Sequence, residues 1–259
     1  MLNIHKVKHF NTPWVIAHRG YSQNFPENTL TAIQAALTAG VPMIEIDVMF
    51  SRDRKPVVIH DATLERTTNG RGAVSDYTME ELKQLDAGSW FDAKFADQHL
   101  PELSEVLDLV DGRAYINIEI KAHAYENHHP PDAIEKQVVA MVKKKNLQDS
   151  VLISSFEIDI LVQIASLEDP PPIALISKTP ASKRIVDICS QLKMFSWHPN
   201  QLTVTPHQVN RMHTAGLKVF PYNVNTFEEY AKMIGMKVDG VITDDPILAY
   251  QWSRIRNAA

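Results

Sequence analysis

The chain has 259 residues, 44 % of them hydrophobic and 22 % charged, with a formal net charge of −5. A chain of this length can bury about 70–75 % of the surface its unfolded form exposes, so no disulfide or structural metal is required to hold it together. The acidic balance argues against a nucleic-acid partner, because the longest basic run, Lys143-Lys144-Lys145, reads as a solvated helix face.

The single cysteine, Cys189, excludes an internal disulfide and reads as a small buried apolar residue rather than a nucleophile. Residues 1–13 lack the apolar core of a secretory signal, and no stretch approaches about 18 consecutive apolar residues. A cytoplasmic protein without stable membrane insertion is expected; a homo-oligomer is left open.

Taken in order, short apolar runs alternate with helical patterns. Val15-Ile16-Ala17 is the first strand, followed by a helix from Asn28 or Thr29 to about Ala39, ended by Gly40. Met43 to Val48 is the second. Pro56 to His60 is a short run that can pair back after a turn at Arg52-Asp53-Arg54-Lys55. Residues of about 62–101 carry the turn-rich Thr68-Asn69-Gly70-Arg71-Gly72, the helix opener Thr78-Met79-Glu80-Glu81 and the aromatic pair Trp90-Phe91. That segment is too long for an ordinary loop and reads as a small inserted cap over the mouth of the fold.

Tyr115 to Ile120 is the third strand, with a helix from about Asp132 to Lys145; His128-His129-Pro130-Pro131 before it reads as a solvent loop. Val151 to Ser154 and a helix near Ile158 to Ser166 follow, then Pro172 to Ile176 with a helix from Ser182 to Leu192, and a weaker strand from Met194 to Trp197. Thr205-Pro206 opens a helix to Ala215 with Gly216 beyond it, the expected proline-first, glycine-last asymmetry. Leu217 to Tyr222 is the seventh strand. Thr226-Phe227-Glu228-Glu229 is a capping box for a helix to about Ile234, Gly240 to Thr243 is the eighth strand, and Pro246 starts the last helix.

Near-continuous apolar strands buried on both faces and joined by helical crossovers suit a parallel sheet. Eight such units favour a closed (β/α)8 TIM barrel with an insertion after the second strand, 1–259 forming one domain. The rival, an open doubly wound sheet, usually carries a glycine-rich first turn, and the turn after Val15-Ile16-Ala17 has one glycine, Gly20.

Polar clusters close four of the apolar runs: His18-Arg19, Glu45-Ile46-Asp47, His60-Asp61 and Glu119-Ile120-Lys121. In (β/α)8 enzymes the active site is built from strand C-termini and the loops after them. Glu45 and Asp47 are two apart, so they face the same side. Such a pair repels, and each member costs several kcal/mol to desolvate without a partner. A divalent cation relieves both costs, and Glu119 would supply a third oxygen ligand; an all-carboxylate set favours Mg²⁺, Ca²⁺ or Mn²⁺ over zinc. The alternative is salt bridges to Arg19 and Lys121 without metal, which three carboxylates against two cations disfavours. His18 and His60 suit an acid and a base in one turnover. Asp61 could orient an imidazole or cap the turn. Arg19 offers a planar fork for a phosphate, and Lys121 adds a second positive charge. This is equipment for phosphoryl transfer or phosphodiester cleavage; no Gly-x-Ser-x-Gly elbow and no Walker sequence occurs.

Ala17-His18-Arg19-Gly20, Pro26-Glu27-Asn28-Thr29, Ile44 to Val48, Pro56 to Asp61, Leu64-Glu65-Arg66-Thr67-Thr68 and Ile118-Glu119-Ile120-Lys121 resemble the glycerophosphodiester phosphodiesterase family. So do Ser154-Ser155-Phe156, Val224-Asn225 and Asp239 to Pro246, and the likeness spans 14–250. The resemblance implies a (β/α)8 barrel with an insertion after its second strand and a glycerophosphodiester as substrate. It implies His18 and His60 as the acid/base pair, Glu45, Asp47 and Glu119 as ligands of Ca²⁺ or Mg²⁺, and Arg19 and Lys121 as phosphate contacts. Glu27 and Asp61 are expected in supporting roles and Phe156 and Tyr222 as substrate contacts; Phe156 equally suits plain core packing, and the family usually has tryptophan where Tyr222 stands, which leaves a stacking or hydroxyl-binding role there open.

The expected reaction is metal-dependent hydrolysis to sn-glycerol 3-phosphate and an alcohol. The nucleophile is water or the substrate's own 2-hydroxyl, and either histidine could be the base. The alternatives are a phospholipase D-like lyase on the same barrel and a non-catalytic phosphodiester-binding protein.

Overall fold

The computed structural model describes residues 2–4 and 13–257, and strands alternate with helices through nearly all of them. The elements are β1 (Trp14–His18), α1 (Leu30–Thr38), β2 (Met43–Phe50), β3 (Pro56–Val58), α2 (Met79–Leu82), α3 (Leu103–Val110), β4 (Tyr115–Ile120), α4 (Ile134–Lys144), β5 (Val151–Ser155) and α5 (Ile158–Ala165). They continue with β6 (Ile173–Ser177), α6 (Lys183–Gln191), β7 (Ser196–Pro199), α7 (Pro206–Thr214), β8 (Lys218–Val219), α8 (Phe227–Gly235), β9 (Gly240–Thr243) and α9 (Pro246–Asn257).

Strands β8-β7-β6-β5-β4-β2-β1-β9 lie side by side in that order. Every neighbouring pair is parallel; β3 alone runs antiparallel, doubling back on β2 with Val48 opposite Val58. The seam between β8 and β9 is carried by single hydrogen bonds: Asp239 N–H to the Val219 carbonyl at 3.1 Å, Ile242 N–H to Pro221 at 2.9 Å and Val224 N–H to Ile242 at 2.9 Å. Strand β8 is short because Pro221 has no N–H to continue a ladder. These bonds complete the ring of eight parallel strands, the TIM barrel expected from the sequence.

Alternation along each strand sorts its residues into two cores. The outward set, among them Ile44, Ile118, Ile153, Trp197 and Val241, packs under the helices. The inward set forms a separate cluster of Ile16, Met43, Tyr115, Leu152, Ala174, Phe220 and Ile242. Trp14 stacks on Tyr115 at 5.0 Å between ring centroids. This inner cluster plugs the lower barrel, so polar residues concentrate at the upper ends of the strands. Truncating one of the fully buried large residues to alanine would cost about 2–5 kcal/mol.

Helix starts follow the capping chemistry read from the sequence. Thr29, Ser182, Thr205 and Thr226 accept from backbone N–H groups in the first turns of α1, α6, α7 and α8, and Thr205 and Thr226 form complete capping boxes with Gln208 and Glu229. Each such cap stabilises its helix by about 1 kcal/mol. One helix escapes the sequence reading. In α3, Leu103, Val106, Leu107 and Val110 are buried at helical spacing, but the cap is Glu102 rather than a small hydroxyl residue. Cys189 is buried on α6, and burial pushes its thiol up to about 11, as suits a packing residue. No helix among the described residues is long and apolar enough to cross a membrane.

The segment between β3 and α3 holds an isolated bridge between Thr63 and Ala73 and the short helix α2, capped by Thr78 and Glu81. A chain of rings ties it to the β1–α1 connection: Trp90 meets Phe91 at 5.6 Å, Phe91 meets Phe95 at 5.9 Å, Phe95 meets Phe25 at 5.7 Å, and Phe25 meets Tyr21 at 5.7 Å. Gly88 is required beneath this chain, because a Cβ there would stand 1.9 Å from the Phe95 carbonyl oxygen.

Candidate active site

The upper end of the barrel opens into a cleft of about 840 Å³. His18, Arg19, Glu45, His60, Asp61, Glu119, Lys121, Phe156 and Tyr222 all line it, so nine of the residues singled out from the sequence share one cavity. Asp47 lies just behind, 1 % exposed. Glu27 stands further back, bridging two arginines.

The acidic centre follows from strand pairing. Glu45 is level with Asn117 and Asp47 with Glu119 across β2 and β4, and the spacing of two turns all of them inward. One oxygen from each of Glu45, Asp47 and Glu119 lies within 4.8 Å of the others, and all three residues are buried.

Lys121 donates to Asp47 Oδ1 at 3.1 Å and to Glu119 Oε1 at 2.6 Å. Arg19 Nε is 3.2 Å from Asp47 Oδ2, and its NH1 donates to Glu27 at 2.7 Å. Asn28 donates to Asp47 Oδ2 at 2.9 Å. Burial would raise Asp47, but Lys121 and Arg19 outweigh it and hold the carboxyl well below its ordinary range.

The other two acids go the opposite way. Burial, together with the Asp47 charge, pushes Glu119 up to about 7 even though Lys121 opposes it. Burial and the charges of Asp47 and Glu119 push Glu45 far above the carboxylate range. The two cations therefore do not neutralise three acids. Glu45 Oε1 is buried with no hydrogen-bond partner, while Oε2 accepts from the Arg19 backbone N–H at 3.0 Å. An unpartnered buried carboxylate oxygen facing two other carboxylates fits a hard divalent cation, and Glu45, Asp47 and Glu119 are the residues that could hold one.

Backbone strain supports this arrangement. Arg19 and Asn28 adopt left-handed φ values of 56° and 60°. Gly20 follows at 81°, where a Cβ would stand 2.6 Å from the Ala32 backbone of α1. The sharp exit from β1 aims the Arg19 N–H at Glu45 and its side chain back across the strand ends, a use of strain common at functional sites.

Two imidazoles face this centre. His18 ends β1, and its Nδ1 lies 2.6 Å from Asp244 Oδ1 just beyond β9. Asn223 stands 2.9 Å from the same nitrogen and donates to Asp244 at 3.2 Å. His18 Nε2 is 4.0 Å from Glu45 Oε2. His60 follows β3, held over β2 by the Ile59 N–H donating to the Asp47 carbonyl at 3.1 Å. Its Nδ1 lies 2.5 Å from Asp61 Oδ1.

Arg66 binds both oxygens of Asp61 and both of Glu27, and its hydrogen bonds hold Asp61 down at about 2. Burial lowers His60, reinforced by Arg19 and Lys121 against the pull of Asp47. A carboxylate on each Nδ1 selects the tautomer that leaves Nε2 for the cleft. Of the two roles open to Asp61, orienting an imidazole is the one its geometry fits.

Phe156 and Tyr222 meet edge to face at 6.1 Å on the cleft wall, and the Tyr222 hydroxyl donates to the Ser177 carbonyl at 3.2 Å. Sequence reading gave no role to Asn28, Arg66 or Asp244, and passed over Asn223, His123 and His198, all three of which also line the cleft. Asp244 had a usable signal: β1 pairs with β9 at Ala17 opposite Thr243, so in a closed ring the residues after each are neighbours.

The model of the family described as "Glycerophosphoryl diester phosphodiesterase family" matches residues 18–248. The chain is 39 % identical over 236 residues to a glycerophosphodiester phosphodiesterase of Caldanaerobacter subterraneus subsp. tengcongensis, covering 90 % of this chain and 94 % of that one. It is 35 % identical over 243 residues to a glycerophosphodiester phosphodiesterase of Bacillus altitudinis, with 90 % and 94 % covered. A solved structure of an Oleispira antarctica phosphodiesterase in complex with the product sn-glycerol-3-phosphate superposes with a TM-score of 0.81 at 30 % identity, over 93 % of this chain and 96 % of that one. With the barrel, the acidic centre and a match over nearly its whole length, the chain belongs to the glycerophosphoryl diester phosphodiesterase family.

Proposed function

We propose that this chain hydrolyses glycerophosphodiesters to sn-glycerol 3-phosphate and an alcohol, with His18 and His60 moving the protons and Glu45, Asp47 and Glu119 holding a divalent cation. The observation that carries the reading is the Glu45–Asp47–Glu119 cluster, with Glu45 Oε1 unpartnered, set in one cleft with two carboxylate-backed imidazoles. A divalent cation bound there would supply positive charge against the phosphoryl oxygens.

The residues do the rest. Arg19 and Lys121 reach the acidic centre and favour a phosphate entering beside it. One imidazole takes the proton of the attacking hydroxyl at Nε2 while the other gives its Nε2 proton to the departing alkoxide. Asp61 and Asp244 keep each ring oriented and stabilise it when it carries both protons. Phe156 and Tyr222 wall the cleft beside the reacting groups. Segment 62–101 serves as a cap on the His60 side, where Ala62 and Thr63 already border the cleft.

The test is release of sn-glycerol 3-phosphate from glycerophosphocholine and related diesters, measured with and without a chelator and after adding back Mg²⁺, Ca²⁺ or Mn²⁺. Activity should vanish on chelation and return with one of these ions. Undiminished turnover after chelation, or in a protein carrying both His18→Ala and His60→Ala, would overturn the reading.

A further inference from the structure

Among the described residues, three side chains of permanent positive charge line the cleft, and two of them are committed. Arg19 is tied to Asp47 and Glu27, and Lys121 to Asp47 and Glu119. The third, Lys178, follows the end of β6 and is exposed. Its contact is with a ring, and among the described residues no carboxylate pairs with it.

The surroundings fix where this lysine stands. Ser177, immediately before it, is pinned from three directions. Its carbonyl accepts from the Asn200 N–H at 2.9 Å and from the Tyr222 hydroxyl at 3.2 Å, and its hydroxyl accepts from Trp197 Nε1 at 2.8 Å. The Lys178 ammonium lies over the Phe156 ring, 5.5 Å from its centroid, and Tyr222 braces Phe156 edge to face. A cation–π contact restrains a long, flexible side chain without consuming its N–H donors. Lys178 is therefore held at the cleft wall with its donors open to a ligand.

What the ammonium can read follows from charge. The acids that line the cleft, Glu45, Asp61 and Glu119, belong to the β2, β3 and β4 side, whereas Lys178 and Phe156 stand beyond β6 and β5. Lys178 thus sets the sign of its own wall. A phosphate is drawn to the charged centre, where Arg19 and Lys121 stand. The glycerol unit offers hydroxyls and no charge. Any further charge on a glycerophosphodiester sits on the departing alcohol.

We infer that Lys178 selects the departing alcohol by charge, favouring alcohols that carry a carboxylate or a phosphate over neutral and quaternary-ammonium ones. The assignment rests on the glycerophosphodiesterase reading and deepens it by naming a substrate class. An exposed cation at the mouth of a cleft acts on capture of the substrate. Its effect therefore belongs in kcat/KM and weakens with salt.

The experiment measures kcat/KM on the metal-loaded chain for diesters of sn-glycerol 3-phosphate with 3-hydroxypropanoate, with its neutral isostere 3-hydroxypropanamide and with choline. The wild-type chain should prefer the carboxylate to the amide by about fivefold at low salt, and the preference should shrink as salt is raised. Lys178→Met should bring that ratio to about one, and Lys178→Glu should invert it and favour choline over the amide. Comparing ratios between variants cancels differences in leaving-group basicity. A uniform loss on all three diesters, with the ratios kept, would mean that Lys178 serves the phosphate or the wall, and that result overturns the selection. A wild-type ratio of one or below overturns it as well. Should either variant fail to fold, the wild-type salt series decides: a preference that does not respond to salt overturns the selection, and one that fades supports it. Failure of the wild-type chain to cleave any of the diesters overturns the reading of the whole cleft instead.

Discussion

The two imidazole stations of the cleft have opposite construction. His18 is held by residues far along the chain: Asp244 is 226 positions away and Asn223 is 205. Its station exists only where the barrel closes β9 onto β1. His60 is held by its immediate neighbour Asp61, steadied by Arg66 five residues on. Closure of the fold creates one station, and a short segment of chain creates the other. The first therefore depends on the integrity of the ring, and the second on local charges that solvent can screen. His198 sharpens the contrast: among the described residues no carboxylate pulls on it, and burial pushes its imidazole down to about 3.

The most drastic way to break this symmetry is to remove a ring. His18→Ala and His60→Ala should each lower kcat by about 10²–10⁴-fold. The double variant should be little worse than either single one, because an acid and a base in one step act as a unit. Steady-state turnover on a metal-loaded sample checks this, and multiplicative losses would show that the two act in separate steps.

A smaller cut removes the supports. Asp244→Asn should lower kcat by about 10–100-fold, because Asp244 also gathers Asn223, Asn225 and Ser22 around His18. Asp61→Asn should cost about tenfold or less, since Arg66 and Glu27 remain nearby. Equal losses in the two variants would remove the distinction between closure-built and locally built stations.

The smallest effect is read in stability. An unfolded histidine titrates near 6.5, whereas His198 in the fold stays neutral to about 3. Between those values the unfolded chain binds the extra proton, so this contribution to stability is fully present above about pH 6.5 and is lost progressively as pH falls toward 3. Thermal unfolding followed from pH 7 to pH 4 should therefore fall less steeply in His198→Phe than in the wild-type chain. An unchanged slope would mean that His198 is protonated in the fold.

The same contrast explains what could be read from the sequence. Features set by neighbours along the chain were legible: the two-residue spacing of Glu45 and Asp47, the adjacency of His60 and Asp61, the Thr205-Pro206 and Thr226–Glu229 helix starts, and strands ending at His18 and Lys121. Features set by ring closure or by a layer inside the barrel were not. Asp244 becomes a partner of His18 only through the register of β1 with β9. Asn117 and His198 sit within mostly apolar runs, where alternation hides a polar inner face behind an apolar outer one. Helix α3 was lost because it follows an irregular segment directly and starts on Glu102, and Pro221 thins the ladder of β8 to two residues although the strand is in place.

The chain of rings from Trp90 through Phe91, Phe95 and Phe25 to Tyr21 carries one more consequence. Surface loops ordinarily accept changes of length independently of one another. Here two connections about seventy residues apart share a packed aromatic face, and one of them contains Arg19 and Glu27. Grafting a longer or shorter insertion onto this scaffold would therefore disturb the turn after β1 that carries Arg19 unless the rings were transplanted with it. Any redesign of the rim has to treat the two segments as a single part.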